Sequence, residues 1–233
     1  MPLPFFYEPT LLQTSSHFTL SEESSKHGIQ VLRMKAGEKL QITNGQGMLA
    51  TASIVSEDKK KTVVLMEESK SIPGPLRKIS IAISLLKNTT RFEWFLEKAT
   101  EIGVCDIKPL ICDRTEHTRF RYERMNGILI AAMLQSQQTW LPLLHEPIPF
   151  KNHIPQSVYH QKLIAHCEEE KKQFIPNLPA TTETEILIGP EGDFSFEEIK
   201  LALDNQYLPV SLGATRLRSE TAGVVAAALL ANR

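Results

Sequence analysis

Ile186-Leu187-Ile188-Gly189-Pro190-Glu191-Gly192-Asp193-Phe194-Ser195 and Val210-Ser211-Leu212-Gly213-Ala214-Thr215-Arg216-Leu217-Arg218-Ser219-Glu220-Thr221-Ala222 are the stretches on which the fold turns. Each is a short β-rich run that stops at a glycine, passes through a polar turn and continues into a helix-like segment. In open α/β sheets ligands sit beyond the carboxyl ends of the strands, where glycines let the backbone come close. The two turns together carry Glu191, Arg218 and Glu220, and they are where chemistry is expected.

Upstream, strands and helices alternate. Residues 79–86 form a continuous apolar run, as expected of a strand buried on both faces. Residues 89–102 place Phe92, Phe95, Leu96, Ala99 and Ile102 at helical spacing ahead of Gly103, a C-terminal cap. Strands are predicted at 104–111, 163–166, 185–189 and 208–213, and a long helix at 119–138. Ser195-Phe196-Glu197-Glu198 opens another helix with a capping box. The final helix, 219–231, is apolar nearly all round, which predicts burial, with a second subunit as one possible cover. This alternation predicts a parallel α/β sheet. Residues 1–70 read differently. A helix begins at Ser21 and carries Ile29, Val31 and Leu32 towards Arg33. Short strands follow at 40–43, 48–55 and 62–66 with an Asn44-Gly45 turn, the pattern of a small barrel or sandwich. Ser71-Ile72-Pro73-Gly74-Pro75 reads as the linker, dividing the chain into domains 1–72 and 73–233.

A length of 233 residues accommodates one large or two modest domains. The formal net charge of −1 argues against binding nucleic acid by bulk positive charge, so an RNA role needs a local basic patch. Residues 75–125 supply one, with ten Lys/Arg against seven Asp/Glu, whereas residues 181–233 carry four against eight. The three cysteines, Cys105, Cys112 and Cys167, have no CxxC spacing and fit a reducing compartment. MPLPFFYEP at the start lacks the basic and apolar regions of a leader, and no run approaches a membrane span, so a cytoplasmic protein without membrane attachment is expected.

Glu191 has two open readings: a solvated Pro-Glu-Gly turn, or a loop whose backbone clasps a polar ligand. Arg216, Arg218 and Glu220 lie between a strand end and an apolar helix, where charges are costly unless used. Arg114, Arg119, Arg121 and Arg124, interleaved with Phe120 and Tyr122, either hold phosphates and stack bases or form an exposed helix start. Lys35, Lys39 and Lys59-Lys60-Lys61 extend a basic path or are merely solvated. GxxxxGK[ST], a GxGxxG after the first apolar strand, HExxH and GxSxG are all missing. That excludes a P-loop NTPase, weakens a Rossmann reading and gives no reason to expect a metal.

Leu187-Ile188-Gly189-Pro190-Glu191-Gly192-x-Phe194-Ser195 followed by Leu212-Gly213-x-x-x-Leu217-Arg218-x-Glu220-Thr221-Ala222 resembles the bacterial 16S ribosomal RNA uridine-N3 methyltransferases, the RsmE family. HGIQVLRMKAGEKL at 27–40, WFLEKATEIGV at 94–104 and Gln135-Ser136 with Pro142 downstream are similar to further segments of that family, in the same order. The resemblance implies a PUA-like RNA-binding β-barrel joined to a SPOUT α/β domain whose C-terminal part forms a trefoil knot. It also implies S-adenosylmethionine (SAM) as cofactor, an antiparallel homodimer, and 16S rRNA or the assembled 30S subunit as substrate. Carried onto this chain, the cofactor residues are His166, Ile188, Gly189, Pro190, Glu191, Gly192, Leu212, Gly213, Leu217, Arg218 and Thr221. Glu191 or Glu220 would accept the uridine N3 proton, and Arg218 would stabilise charge on the uracil oxygens. Arg33, Lys35, Arg91, Arg114, Arg119 and Arg121 are the expected RNA contacts. Two departures from the family pattern stand out. Gln138 occupies the place of a usual Arg, and Asp193 that of a usual Gly, although Asp tolerates a left-handed backbone. Two rivals are a non-catalytic RNA-binding module that kept the fold and a small-molecule nucleotide enzyme using the same crevice.

Overall fold

A computed structural model describes residues 3–12, 16–168 and 171–232; Met1 and Pro2, in the segment read for a leader, and Arg233 lie outside them. The change of pattern near residue 72 corresponds to two units of structure. One comprises Met1–Gly74 with Met133–Leu141, the other Pro75–Ala132 with Pro142–Arg233. The second domain expected at 73–233 thus includes a segment, Met133–Leu141, that packs with the first unit.

In the first unit, strands β1 (Phe5–Tyr7), β2 (His17–Thr19), β3 (Lys39–Thr43), β4 (Met48–Ser56) and β5 (Val63–Ser71) form one sheet in the order β1-β3-β4-β5-β2. Only the β1–β3 pair is parallel. Register shifts at Thr51/Ala52 and Ile54/Ser56 mark bulges in β4, which bend a sheet. Leu40, Ile42, Ala50, Ala52, Ile54 and Val64 alternate into a core shared with Phe6 and Leu11. The helix expected to run towards Arg33 is shorter: α1 (Glu22–Lys26) passes into a π-helical turn (His27–Val31), and Arg33 ends it at φ 57°. Here Gly28 packs on Phe6 and Met34 N–H donates to the Gly28 carbonyl, so the chain turns back into the core. Met133–Leu141 straps the β3–β4 turn. Gly47 N–H donates to Thr139 O at 2.8 Å, and the Trp140 indole donates to Ile72 O and Pro73 O at 3.1 Å. Gly47, at φ 87°, has no room for a Cβ, which would fall 2.4 Å from the Trp140 ring.

The second unit is the predicted parallel sheet. Its strands are β6 (Lys78–Ser84), β7 (Asp106–Ile111), β8 (Leu143–Leu144), β9 (Ile148–Pro149), β10 (Gln161–Ala165), β11 (Gln173–Phe174), β12 (Glu183–Ile188) and β13 (Leu208–Ser211). They run in the order β11-β13-β10-β12-β6-β7-β8, with β9 also paired to β7. Every pairing is parallel, so all carboxyl ends emerge on one edge. Ala82, Leu110, Ile164 and Leu187 face α4 (Phe150–His153) and α5 (Phe196–Asp204). The alternate residues, such as Ile83, face α2 (Thr89–Ile102) and α6 (Ser219–Ala231). Gly103 at φ 94° caps α2, and Ser195 and Glu198 complete the predicted capping box on α5. The helix α3 (Tyr122–Gln135) is shorter than the expected 119–138. Phe120 is instead drawn edge-on to Phe92, 6.2 Å between centroids, and Gln137 at φ 55° stops the other end.

α6 crosses α2 closely because Gly223 lies on the Phe95 ring: a Cβ there would fall 2.6 Å from Phe95 and 3.2 Å from Ile83. One turn earlier on each helix, Glu220 and Arg91 meet, with Oε1 3.6 Å from Nε. Packing and charge thus share one helix–helix seam.

Glu185, wholly buried in mid-β12, accepts from Lys108 Nζ (2.9 Å), Ser157 Oγ (2.6 Å) and Tyr207 OH (2.6 Å), with His153 Nε2 at 3.2 Å. Asp106, at the start of β7, accepts from Tyr159 OH and pairs with His145 and Lys108. Burial alone pushes Glu185 up, but His153, Lys108 and Ser157 reverse this and hold it well below the usual carboxylate range. Asp106 is also lowered: burial pushes it up, and His145, Tyr159 and Lys108 outweigh that. Both carboxylates therefore favour folding while ionised, and that contribution is lost as pH falls below their ordinary values of 4.5 and 3.8 and on through the folded ones. Melting temperature measured from pH 7 downward should hold until about pH 5 and then fall. Glu185→Gln, which leaves Lys108 with Asp106 as its one carboxylate, should lower stability by about 2 kcal/mol at neutral pH and flatten the acid slope.

Candidate functional site

Three parallel strands end side by side, and the loop leaving each one turns into the same space. β12 stops at Ile188, and Gly189 and Pro190 remain buried as the chain turns. Gly189 has to be small here, because a Cβ would sit 3.1 Å from the Phe194 ring, which is itself fixed against Phe150. Asp193 adopts φ 65°, the left-handed conformation that Asp was expected to tolerate. Its carboxylate uses that position, accepting from Cys167 N–H at 2.7 Å and from Phe194 N–H at 2.9 Å. The loop after β12 is thereby tied to the loop after β10. β13 leads through Leu212 to Gly213 at φ 151°, and the polar turn then runs into α6.

Between these loops lies a cavity of about 650 Å³, within the range of small-molecule sites. Its walls are peptide groups of the strand ends, the aliphatic side chains of Ile188, Leu212 and Leu217, and the charges of Glu191, Asp193, Lys172 and Arg218. That mixture suits a nucleoside-sized ligand with a charged tail. Of the expected cofactor residues, His166, Ile188, Gly189, Pro190, Glu191, Leu212, Gly213, Leu217 and Arg218 line it; Gly192 and Thr221 do not. Arg216, singled out in the second turn, lines it as well, and so do Cys167, Lys172 and Asp193, which were not expected there. The Cys167 thiol is pushed up by burial and then by Asp193, so it presents a neutral group. Cys167 and Lys172 are brought in by the pairing of β10 between β12 and β13, and Asp193 by the turn of its own loop.

The two candidate bases are held differently. Glu191 is exposed at the rim, with Oε1 accepting from Lys87 N–H at 3.1 Å. Glu220 is buried in the first turn of α6, does not line the cavity, and leans on Arg91; its Oε2 is buried with no hydrogen-bond partner among the described residues. Lys87 and Arg91 belong to one junction, from the end of β6 into α2, so both carboxylates rest on it.

The arginines expected to meet RNA divide. Arg119 and Arg121 are exposed and make no ion pair among the described residues. Arg33 is exposed in the first unit, and Lys35 there pairs with Glu57 at 3.4 Å. Arg91 is engaged by Glu220, Arg124 by Glu93, and Arg114 donates to Gly192 O at 2.6 Å and Phe194 O at 3.3 Å. The rings between them are occupied as well. Phe120 packs on Phe92 and Tyr122, and Tyr122 OH donates to Leu144 O. The expected aromatic platform for bases is therefore part of the fold's own packing. Among the described residues no group of three or more His, Cys, Asp or Glu could hold a metal ion, and no helix is long and apolar enough to cross a membrane.

Comparison with known proteins agrees with this architecture. Residues 73–231 match the RNA methyltransferase domain family, and residues 20–66 match the RNA methyltransferase PUA domain. Ribosomal RNA small subunit methyltransferase E of Synechocystis sp. is 29% identical over 210 residues, 85% of this chain and 67% of that protein. A probable rRNA methyltransferase from Porphyromonas gingivalis superposes with a TM-score of 0.89 at 37% identity, over 97% of this chain and 95% of that one. A methyltransferase from Legionella pneumophila, solved with SAM bound, superposes with a TM-score of 0.89 at 31% identity, over 99% and 97%. The chain belongs to the RNA methyltransferase family, alongside the ribosomal RNA small subunit methyltransferases E.

Proposed function

We propose that this protein transfers the methyl group of SAM to N3 of one uridine in the 16S RNA of the small ribosomal subunit, in the cytoplasm and as a homodimer. The observation that carries this reading is the convergence of three strand-end loops on one cavity, in a chain 31% identical to a protein that holds SAM. When bound, the cofactor supplies a methyl group on a sulfonium, an electrophile that needs no metal. Peptide groups of Gly189, Pro190, Leu212 and Gly213 would hold the nucleoside, with Ile188 and Leu217 against its apolar faces and His166 at the third loop. Gly192 and Thr221, outside the lining, would act through the shape of the two turns.

The remaining task of the site is to take the imino proton from N3 and to steady the charge that develops. Glu220 suits the first role, because Oε2 has no partner among the described residues while Arg91 secures Oε1. Glu191 suits a second: anchored by Lys87 N–H, it stands where a base entering over the rim can be aligned. Arg218, exposed at the start of α6, can donate to a uracil oxygen as it gains charge. Arg119, Arg121 and Arg33 are the exposed cations that would take phosphates in place of the Arg replaced by Gln138.

The chain order supports a threaded C-terminus: β13 lies beyond β10, and α6 returns over β6 and β12. α6 also supports the dimer. Its outer residues Val225, Ala228 and Leu229 line an apolar depression of about 570 Å³ with Pro176 and Leu178, a surface that a second copy would bury.

Mass-spectrometric mapping of ribosomal RNA from cells lacking the protein should show the loss of one N3-methyluridine; an unchanged map overturns the proposal. Glu220→Gln should lower kcat by roughly 10²- to 10⁴-fold with SAM affinity retained, and wild-type turnover by that variant would exclude Glu220 as the base. In sedimentation the protein should have twice its 26.3 kDa chain mass, and Leu229→Glu should shift it to the monomer.

A further inference from the structure

The segment that follows β7 was read as a basic RNA-binding stretch, yet its first residues are built into the cofactor loop. Cys112 to Thr115 form a tight turn: Thr115 N–H donates to Cys112 O at 3.0 Å, and Cys112 N–H donates to Thr115 Oγ1 at 2.8 Å. Thr115 Oγ1 also shares a hydrogen bond with Ser84 Oγ at the end of β6, 2.9 Å away. The turn is thus fixed to the edge of the sheet before it meets anything else. From it, Asp113 receives the Ser195 hydroxyl at 2.6 Å and gives its N–H to Glu198 Oε1 at 2.9 Å. Arg114 crosses the loop itself, its Nη1 donating to the carbonyls of Gly192 and Phe194. A Cβ on Gly192 would lie 3.4 Å from Arg114 Cδ and 3.7 Å from its Cβ, so the arginine stem packs along the glycine.

Between the two carbonyls that Arg114 holds lies Asp193, the non-glycine residue at φ 65°, a conformation that costs about 1 kcal/mol or more unless its surroundings impose it. We infer that Arg114 is a positioning residue of the methyl-donor site, a latch that fixes the 189–195 loop from outside while Asp193 fixes it from within. This deepens the proposed function and rests on its reading of the cavity as a SAM site. Because its Nη1 is committed to the two loop carbonyls, we assign Arg114 to the loop, and Arg119 and Arg121 carry the phosphate role.

Lysine separates the two roles, because it keeps the charge but loses the planar guanidinium whose Nη1 donates to both carbonyls. Arg114→Ala and Arg114→Lys should both speed amide hydrogen exchange at Asp193, Phe194 and Ser195 in the unliganded protein by about tenfold. Calorimetry should show the Kd for SAM rising about five- to tenfold in both, the worth of one ordinary hydrogen bond at an exposed site. The salt dependence of binding to a ribosomal RNA fragment should stay as in wild type for both, whereas Arg119→Ala should lower that slope by about one with SAM affinity intact. Unchanged loop exchange in both variants would overturn the latch. So would normal SAM affinity together with a reduced salt slope in Arg114→Ala that Arg114→Lys restores. A wild-type protein without SAM affinity would remove the proposed function, while the exchange result would still decide the latch.

Discussion

The contact between Gly223 and the Phe95 ring sets the height at which α6 crosses α2, and the site inherits its geometry from that height. With no side chain at 223, the helices approach until the ring touches backbone, close packing that fixes one arrangement rather than a range. One turn towards the start of each helix, the same seam brings Glu220 to Arg91. A residue further back stands Ser219, on the wall of the cavity. A buried carboxylate, a cavity wall and a helix crossing are therefore consequences of one missing side chain. Charges tolerate such burial only with a partner on the far side, and Arg91 is that partner.

At the other edge of the same sheet the constraint is electrostatic. Glu185 lies in the sheet between Ser80 of β6 and Lys162 of β10 without contact with water, and it persists because Lys108, Ser157, Tyr207 and His153 surround it and Ser80 Oγ donates to it at 3.4 Å. This network joins β6, β7 and β12 to the turn after α4 and to the residue before β13. It fixes the base of the strands whose other ends carry the cavity. The sheet is held by charge at one edge and left open at the other, where the loops diverge.

Much of this was legible in the sequence because it depended on local geometry. Glycines at strand ends, a capping box at Ser195, the cap at Gly103 and long apolar runs each have one simple structural reading, and the structure has those features. The cavity lining was half legible: most residues on the two glycine turns were found, whereas Cys167 and Lys172 entered through strand order. The partners of the arginines were illegible for a related reason. Composition shows where charge lies along the chain, not which atoms face it. Arg91, Arg114 and Arg124 look alike in a string, yet each has a partner 31 to 129 residues away. Phe120 and Tyr122 likewise read as a stacking platform until Phe92 and Leu144 claimed them. The seam at Gly223 was invisible, since a glycine inside an apolar helix carries no sign of what it lies against.

The strap formed by Met133–Leu141 bears on how such a protein can be inherited. Trp140 hangs from the carbonyls of Ile72 and Pro73, and Thr139 receives Gly47 N–H, so the first unit closes only with nine residues encoded some sixty positions after its last strand. A gene break near residue 74 would not release a complete domain, and neither half could be exchanged as a cassette. The two parts must descend together, and insertions between residues 75 and 132 are limited to those that still return the strap to its place.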